Sequence, residues 1–259
     1  MVNDTEGLVT LSITDGVAVV TLNDPARRNA LSVAMSAALA AAVDDALGAA
    51  ASAILLTATP PVFCSGGSLD DLIAPAAPLR EMYAGFLCLA EAPIPTIAAV
   101  GGPAIGAGVN LPLACDLVVT SPSAVFDPRF LDVGIHPGGG HLWRLSQRVG
   151  SQGAAALVLF GDRLDGREAE ARGLAWRCVP DDQLLATALD LARRAACRDT
   201  ELVRRTKDSL RASAAVGDPN DAIEIEFAAQ EWSVSRPGFV ENVTRLRDRI
   251  RVGKTVIRR

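Results

Sequence analysis

The stretch Ala98–Asp116, AAVGGPAIGAGVNLPLACD, decides how the rest of the chain is read. An apolar, strand-like run (Ile94–Val100) meets a turn containing Gly101, Gly102, Gly106 and Gly108, and an apolar helical run follows (Val109–Cys115). Small residues in such a turn let the backbone come close to a ligand. The first N–H groups of the helix then have no intrahelical acceptor and can stabilise an anion. A second turn of this kind, Phe63-Cys64-Ser65-Gly66-Gly67-Ser68-Leu69, lies upstream. It also follows a β-like run, so the two turns together could aim two N–H donors at one oxygen.

Outward from these turns the chain reads as α/β. Leu8–Leu22 gives two strands around Asp15-Gly16, a hairpin signal. Ser32 caps a helix over Val33–Leu47 that stops at Gly48. Ala53–Thr57 is apolar enough to be a strand covered on both faces. Leu79–Ala90 reads as a helix, Thr96–Val100 and Asp116–Thr120 as strands, and Ala124-Val125-Phe126 as a short strand. Helices are expected over Leu142–Val149, Ser151–Leu159, from Asp165 or Gly166 to Arg172, and over Asp182–Arg198. Beyond that only helical patterns remain, Thr200–Arg211 and Asp221–Arg251, separated by Gly217-Asp218-Pro219. The expected organisation is an α/β core over residues 1–195 and a helical part over 196–259.

Composition narrows the function. The chain has 259 residues, is 49% hydrophobic and 21% charged, and carries a net charge of −5, so a large core is expected and a nucleic-acid partner is not. No apolar run suits a membrane span, and the acidic start MVNDTEG does not read as a secretory signal. Cys64, Cys88, Cys115, Cys178 and Cys197 are scattered, without CxxC or His-paired spacing. They read as reduced thiols of a cytoplasmic protein. His136 and His141 are five apart, wrong for two ligands on one helical face, so no metal is expected. Without a G-x-S-x-G, Ser65 and Ser68 beside Cys64 do not suggest a hydrolase nucleophile.

Five segments, in order, resemble the enoyl-CoA hydratase/isomerase (crotonase) superfamily: VVTLNDPARRNALSVAM, PVFCSGGSLDDL, PTIAAVGGPAIGAGVNLPLACDLVV, FLDVGIHPGGGHLWRLSQRVG and DGREAEARGLAWRCVP. The resemblance implies a spiral of repeated ββα units with a C-terminal helical domain, assembled as a homotrimer or a dimer of trimers. It implies an acyl-CoA thioester whose carbonyl is held by two backbone N–H groups, which fall here on Gly67 and Ala107. Coenzyme A would enter as part of the substrate, and no other cofactor is implied. Arg27, Arg28 and Lys254 become candidates for the CoA phosphates. Ala30, Ser65, Gly66, Ser68, Leu69, Gly106, Phe130, Pro137 and Gly138 become candidates for the rest of the binding site.

The chain departs from the family where acid–base chemistry is done. The two glutamates of the family's hydratases fall on Asn110 and Phe130, and Ser68 stands where Asp is frequent. Asn has no useful pKa and Phe has no polar side-chain atom, so ordinary glutamate-pair hydration is not expected. His136 or Asp132 could supply a replacement for isomerisation, decarboxylation or thioester hydrolysis, and Asn110 could orient a water or bond the acyl group. Asp132 and Asp127 also read as turn residues, and His141 as a helix-start or core residue. A non-catalytic acyl-CoA-binding protein is the alternative to an enzyme.

Overall fold

The computed structural model describes residues 7–75 and 77–256, with the backbone alone for 252–256. The chain falls into two compact units, Met1–Thr200 and Glu201–Arg259. The strands in chain order are β1 (Val9–Thr14), β2 (Val17–Leu22), β3 (Ala53–Ala58), β4 (Thr96–Val100), β5 (Pro103–Ile105), β6 (Leu117–Thr120), β7 (Val125–Asp127), β8 (Leu164–Asp165) and β9 (Arg177–Cys178). They form a six-stranded sheet in the order β1-β2-β3-β4-β6-β9 and a three-stranded sheet in the order β5-β7-β8.

The spiral arises from the way the chain feeds both sheets. It leaves the large sheet at β4 and enters the small one at β5, two residues later; it repeats the step from β6 to β7. Strands β4 and β6 pair in parallel, and so do β5 and β7. These two turns of the chain therefore each lay one strand in each sheet. The β1–β2 hairpin turns on Asp15 and Gly16, both with positive φ (52° and 74°), the pair of left-handed residues that suits the strand twist.

The apolar strands are covered on both faces, which is why they read as unbroken hydrophobic runs. Ala18, Val20, Ile54, Leu56 and Ala98 face one core. Their neighbours Val17, Ala53, Leu55, Ile97 and Ala99 face a second core, closed by Leu184, Ala188 and Ala192 of the helix Leu184–Ala196.

Local signals set most boundaries. Ser32 accepts from the Met35 N–H and starts the helix Val33–Gly48. Asp165 and Glu168 close a reciprocal capping box at the start of Gly166–Ala171. Within His141–Leu159 the backbone is non-helical at Gly150 (φ 71°, ψ 170°), where two helices meet as expected.

Several expectations need correction. The helical run expected over Val109–Cys115 is a 3₁₀ turn, Gly106–Val109, followed by the five-residue helix Asn110–Ala114. Leu79–Ala90 opens as a 3₁₀ turn, Leu79–Tyr83, before the helix Ala84–Glu91. Asp221–Arg251 is not one helix but two, Pro219–Val234 and Phe239–Val256. Pro237-Gly238, with Gly238 at φ 88°, ends the first.

The helical unit has its own internal anchor. The Trp232 ring carries two guanidinium groups, Arg205 at 4.0 Å and Arg236 at 4.7 Å from its centroid. No helix among the described residues is long and apolar enough to cross a membrane.

Candidate functional site

Two glycine-rich turns pack backbone against backbone. Ile105 N–H donates to the Cys64 carbonyl at 2.9 Å, and Cys64 N–H donates to the Pro103 carbonyl at 3.1 Å. Gly108 makes this approach possible, since a Cβ there would lie 2.5 Å from the Cys64 oxygen. Gly66 has φ +99°, and a Cβ on it would lie 2.7 Å from the Ile105 oxygen. The same position is 3.7 Å from the Ala107 nitrogen, so the second turn's N–H lies beside the first turn. Cys64, locked beneath, is fully buried; burial pushes its thiol up to about 12, so it is no nucleophile at neutral pH.

The segment before the first long helix holds the first turn in place. Leu31 N–H donates to the Gly66 carbonyl (2.7 Å), Ser68 N–H to the Leu31 carbonyl (2.8 Å), and Ser65 N–H to the Arg28 carbonyl (3.0 Å). Asn29, fully buried, ties this segment to the preceding loop through bonds to the Thr59 and Val62 carbonyls. After these bonds are made, the N–H groups of Gly67 and Ala107 have no hydrogen-bond partner among the described residues.

Gly67 and Ala107 both line one cavity of about 550 Å³. Of the residues singled out in the sequence, Arg28, Ala30, Ser65, Gly66, Gly67, Leu69, Gly106, Ala107, Asn110, Phe130, His136 and Gly138 line it. Leu72, Met82, Phe86 and Ile135 add an apolar wall. The cavity wall contains no Asp or Glu among the described residues.

The remaining expected residues lie elsewhere. Ser68 does not line the cavity; its Oγ accepts the Asp71 N–H at 3.3 Å and caps the short helix Leu69–Ile73. Arg27 points to Asp24, with Nε 2.7 Å from a carboxylate oxygen. Asp132 is exposed in the 3₁₀ turn Leu131–Val133, and Pro137 is buried off the wall. The side chain of Lys254 lies outside the described residues.

The two histidines have opposite surroundings. His136 is exposed on the wall, with Nδ1 2.7 Å from the Pro137 carbonyl. A carbonyl only accepts, so Nδ1–H donates to it, and in the neutral ring the lone pair is on Nε2. His141, 1% exposed, starts the helix behind the wall. Its Nδ1 is 2.8 Å from Asn110 Oδ1, and its ring meets Phe130 edge-on at 4.9 Å between centroids. Burial pulls its pKa down to about 4, so it is neutral at physiological pH.

Sequence reasoning missed three features. The Asn110–His141 pair joins residues 31 apart, and no local pattern announces it. Tyr83 lines the cavity from the end of its 3₁₀ turn, and Gly138 leaves no room for a side chain beside its hydroxyl. Arg129 also lines the cavity and is paired with Asp127 at the end of β7. The Asp127-Pro128-Arg129 spacing was the only local hint of that pair.

A layered α/β spiral that brings two backbone turns to one apolar cavity is the architecture of the crotonase fold. The chain belongs to the enoyl-CoA hydratase/isomerase family, whose model matches residues 12–238. It is 42% identical over 242 residues to a probable enoyl-CoA hydratase of Mycobacterium tuberculosis, covering 89% of this chain and 94% of the relative. It is 35% identical over 199 residues to the 1,2-epoxyphenylacetyl-CoA isomerase of Escherichia coli, covering 71% of this chain and 74% of the relative. Among solved structures it is similar to an enoyl-CoA hydratase from Geobacillus kaustophilus. That match has a TM-score of 0.87 and 26% identity, covering 95% of this chain and 97% of that one. It is also similar to a putative enoyl-CoA hydratase from Thermobifida fusca in complex with CoA. There the TM-score is 0.79 and the identity 31%, covering 88% of this chain and 93% of that one.

Proposed function

We propose that the chain binds acyl-CoA thioesters in this cavity and forms the thioester enolate. The thioester oxygen sits on the N–H groups of Gly67 and Ala107. The observation that carries this reading is the pair of unpartnered N–H groups at the junction of the two packed turns. Donors fixed in place cost no reorganisation as charge develops on the oxygen, and each supplies roughly 3 kcal/mol to the transition state. Ala107 in place of the family's usual Gly keeps its N–H, so the substitution leaves the donor intact.

His136 is the base. Its free Nε2 removes a proton from the carbon next to the carbonyl; the C–H electron pair becomes the enolate C=C bond as the carbonyl π pair moves onto the thioester oxygen. Of the groups on the wall, the imidazole is the one side chain that both accepts and releases a proton in ordinary acid–base catalysis. Glutamate-pair hydration does not fit a wall without carboxylates. Arg28, exposed at the same cavity, is the phosphate partner available to CoA. The helical unit, with Val243, Leu246 and Ile250 exposed, is the proposed trimer-forming element.

A second reading, an acyl-CoA binder without turnover, draws on one observation: Phe130 and Asn110 occupy both glutamate positions, and both are tied to the buried His141. The experiment pairs calorimetric binding of saturated and 2-enoyl-CoA thioesters with α-proton exchange in deuterated water. Exchange by the wild type that His136→Ala abolishes supports the enolate-forming enzyme. Binding without exchange selects the binder, and no binding contradicts both.

A further inference from the structure

Arg129 puts a cation among apolar neighbours: Phe130, Val133 and Ile135, from the same segment, also line the cavity. The small sheet fixes where it stands. Strand β7 pairs in parallel with β5, with Asp127 opposite Ile105, so Arg129 and Ala107 each lie two residues beyond the last paired position. Arg129 therefore leaves the sheet on the side of the second turn, whereas Arg28 belongs to the segment bonded to the first. Its backbone is held tightly, with Arg129 N–H donating to the Asp127 carbonyl (3.0 Å) and Phe130 N–H to the Pro128 carbonyl (2.8 Å). Asp127 tethers the side chain from behind. One carboxylate oxygen, Oδ2, accepts from Nε at 3.1 Å and from Nη2. The Asp127 side chain is 11% exposed and that of Arg129 is 48% exposed. Both bonds use one edge of the planar guanidinium. The other edge, Nη1 with the outer hydrogen of Nη2, has no hydrogen-bond partner among the described residues. Arg129 lines the cavity and Asp127 does not, so a ligand meets the free edge and not the carboxylate. A fork of two parallel N–H donors matches an oxyanion that offers two oxygens.

We propose that Arg129, tethered by Asp127, receives a carboxylate carried at the far end of the acyl chain, so that the cavity takes monothioesters of dicarboxylic acids. The inference rests on the proposed acyl-thioester function, which puts the thioester oxygen at Gly67 and Ala107 and a CoA phosphate at Arg28. The apolar surroundings of Arg129, and its place beside the second turn, put it at the acyl end of the ligand. An oxyanion there is a carboxylate of the acyl chain rather than a phosphate of CoA. A monocarboxylic chain leaves the fork to water. A terminal carboxylate replaces that water with two charge-assisted bonds and meets no acid on the cavity wall among the described residues. Asp127 is a positioning residue: it touches no ligand and fixes which edge of the guanidinium is offered.

The test is calorimetric. Butanedioyl-, pentanedioyl- and hexanedioyl-CoA are each compared with the monocarboxylic thioester of the same carbon count, on the wild type, Arg129→Gln and Arg129→Lys. The expected wild-type preference for the dicarboxylic member is about tenfold at the chain length that reaches the fork, the lower end for charge-assisted bonds because the side chain is half exposed. It falls to unity in Arg129→Gln. Arg129→Lys keeps the charge without the fork and retains about threefold. Added salt lowers the wild-type preference, as it does for any exposed charge pair. Thioesters of pantetheine, which carry no phosphate, keep the preference. A wild-type ratio near one at all three lengths, or a ratio unchanged in Arg129→Gln, overturns the inference while leaving the thioester reading standing. If Arg129→Gln weakens both members of each CoA pair equally and leaves the pantetheine thioesters untouched, Arg129 serves a CoA phosphate and the inference is overturned. Failure of every thioester to bind overturns both.

Discussion

The two walls of the cavity are built on different principles. One is backbone: the Gly67 and Ala107 N–H groups, held by turns that interlock through Gly66 and Gly108. The other is side chain: Asn110, Phe130 and His136, with His141 behind. A backbone donor survives a change of side chain, as Ala107 illustrates. A proton-transfer group does not, and neither Asn110 nor Phe130 carries one. In the proposed function the backbone wall holds the carbonyl, and the side-chain wall decides which chemistry the held thioester undergoes.

The largest expected effect strikes the backbone wall. Gly66→Ala combines a left-handed φ with a Cβ 2.7 Å from a carbonyl oxygen. It should cost about 4 kcal/mol in urea unfolding and abolish acyl-CoA binding. Normal stability together with normal binding would show that the turns do not need their close contact.

The next effect belongs to His141. Its pKa is lowered to about 4 from the ordinary 6.5, so the folded state resists the proton that the unfolded state accepts. The associated stability is present above pH 6.5 and is lost as the pH falls through about 4, amounting to about 3 kcal/mol. His141→Gln should remove that part of the acid slope in unfolding curves measured between pH 7 and pH 4.

On the other side of the same wall, His136→Ala should lower the rate of α-proton exchange about 100-fold. Acyl-CoA affinity should stay within about threefold, since the proposed hold on the thioester is by the backbone N–H groups of Gly67 and Ala107. Equal losses in rate and affinity would instead make His136 a binding group. The smallest effect is expected at Ser68→Ala, which removes the cap of a short exposed helix and should cost about 1 kcal/mol without altering proton exchange.

Legibility in the sequence tracks the range of the interactions. The hairpin at Asp15-Gly16, the Ser32 cap, the break at Gly150 and both glycine turns are local patterns, and each was legible. The strands β3 and β4 were legible as apolar runs, because a sheet covered on both faces leaves no polar alternation to confuse the pattern. Pro237-Gly238 was a local signal too, but the apolar periodicity on either side obscured it.

The side-chain wall was legible only in part. Asn110 and Phe130 were singled out in the sequence, and both line the cavity. The bond that fixes Asn110 comes from His141, on the far side of a loop, and depends on packing that no spacing rule encodes. Tyr83 and Arg129 reach the cavity in the same way, through folding of distant segments. Ser68 shows the converse: a residue in the right motif whose hydroxyl is spent on capping.

The most direct test of the central claim is the crystal structure of the protein with a saturated acyl-CoA. The account predicts the thioester oxygen about 2.7–3.1 Å from both the Gly67 and Ala107 nitrogens. A bound acyl-CoA whose carbonyl oxygen points away from both N–H groups would contradict it.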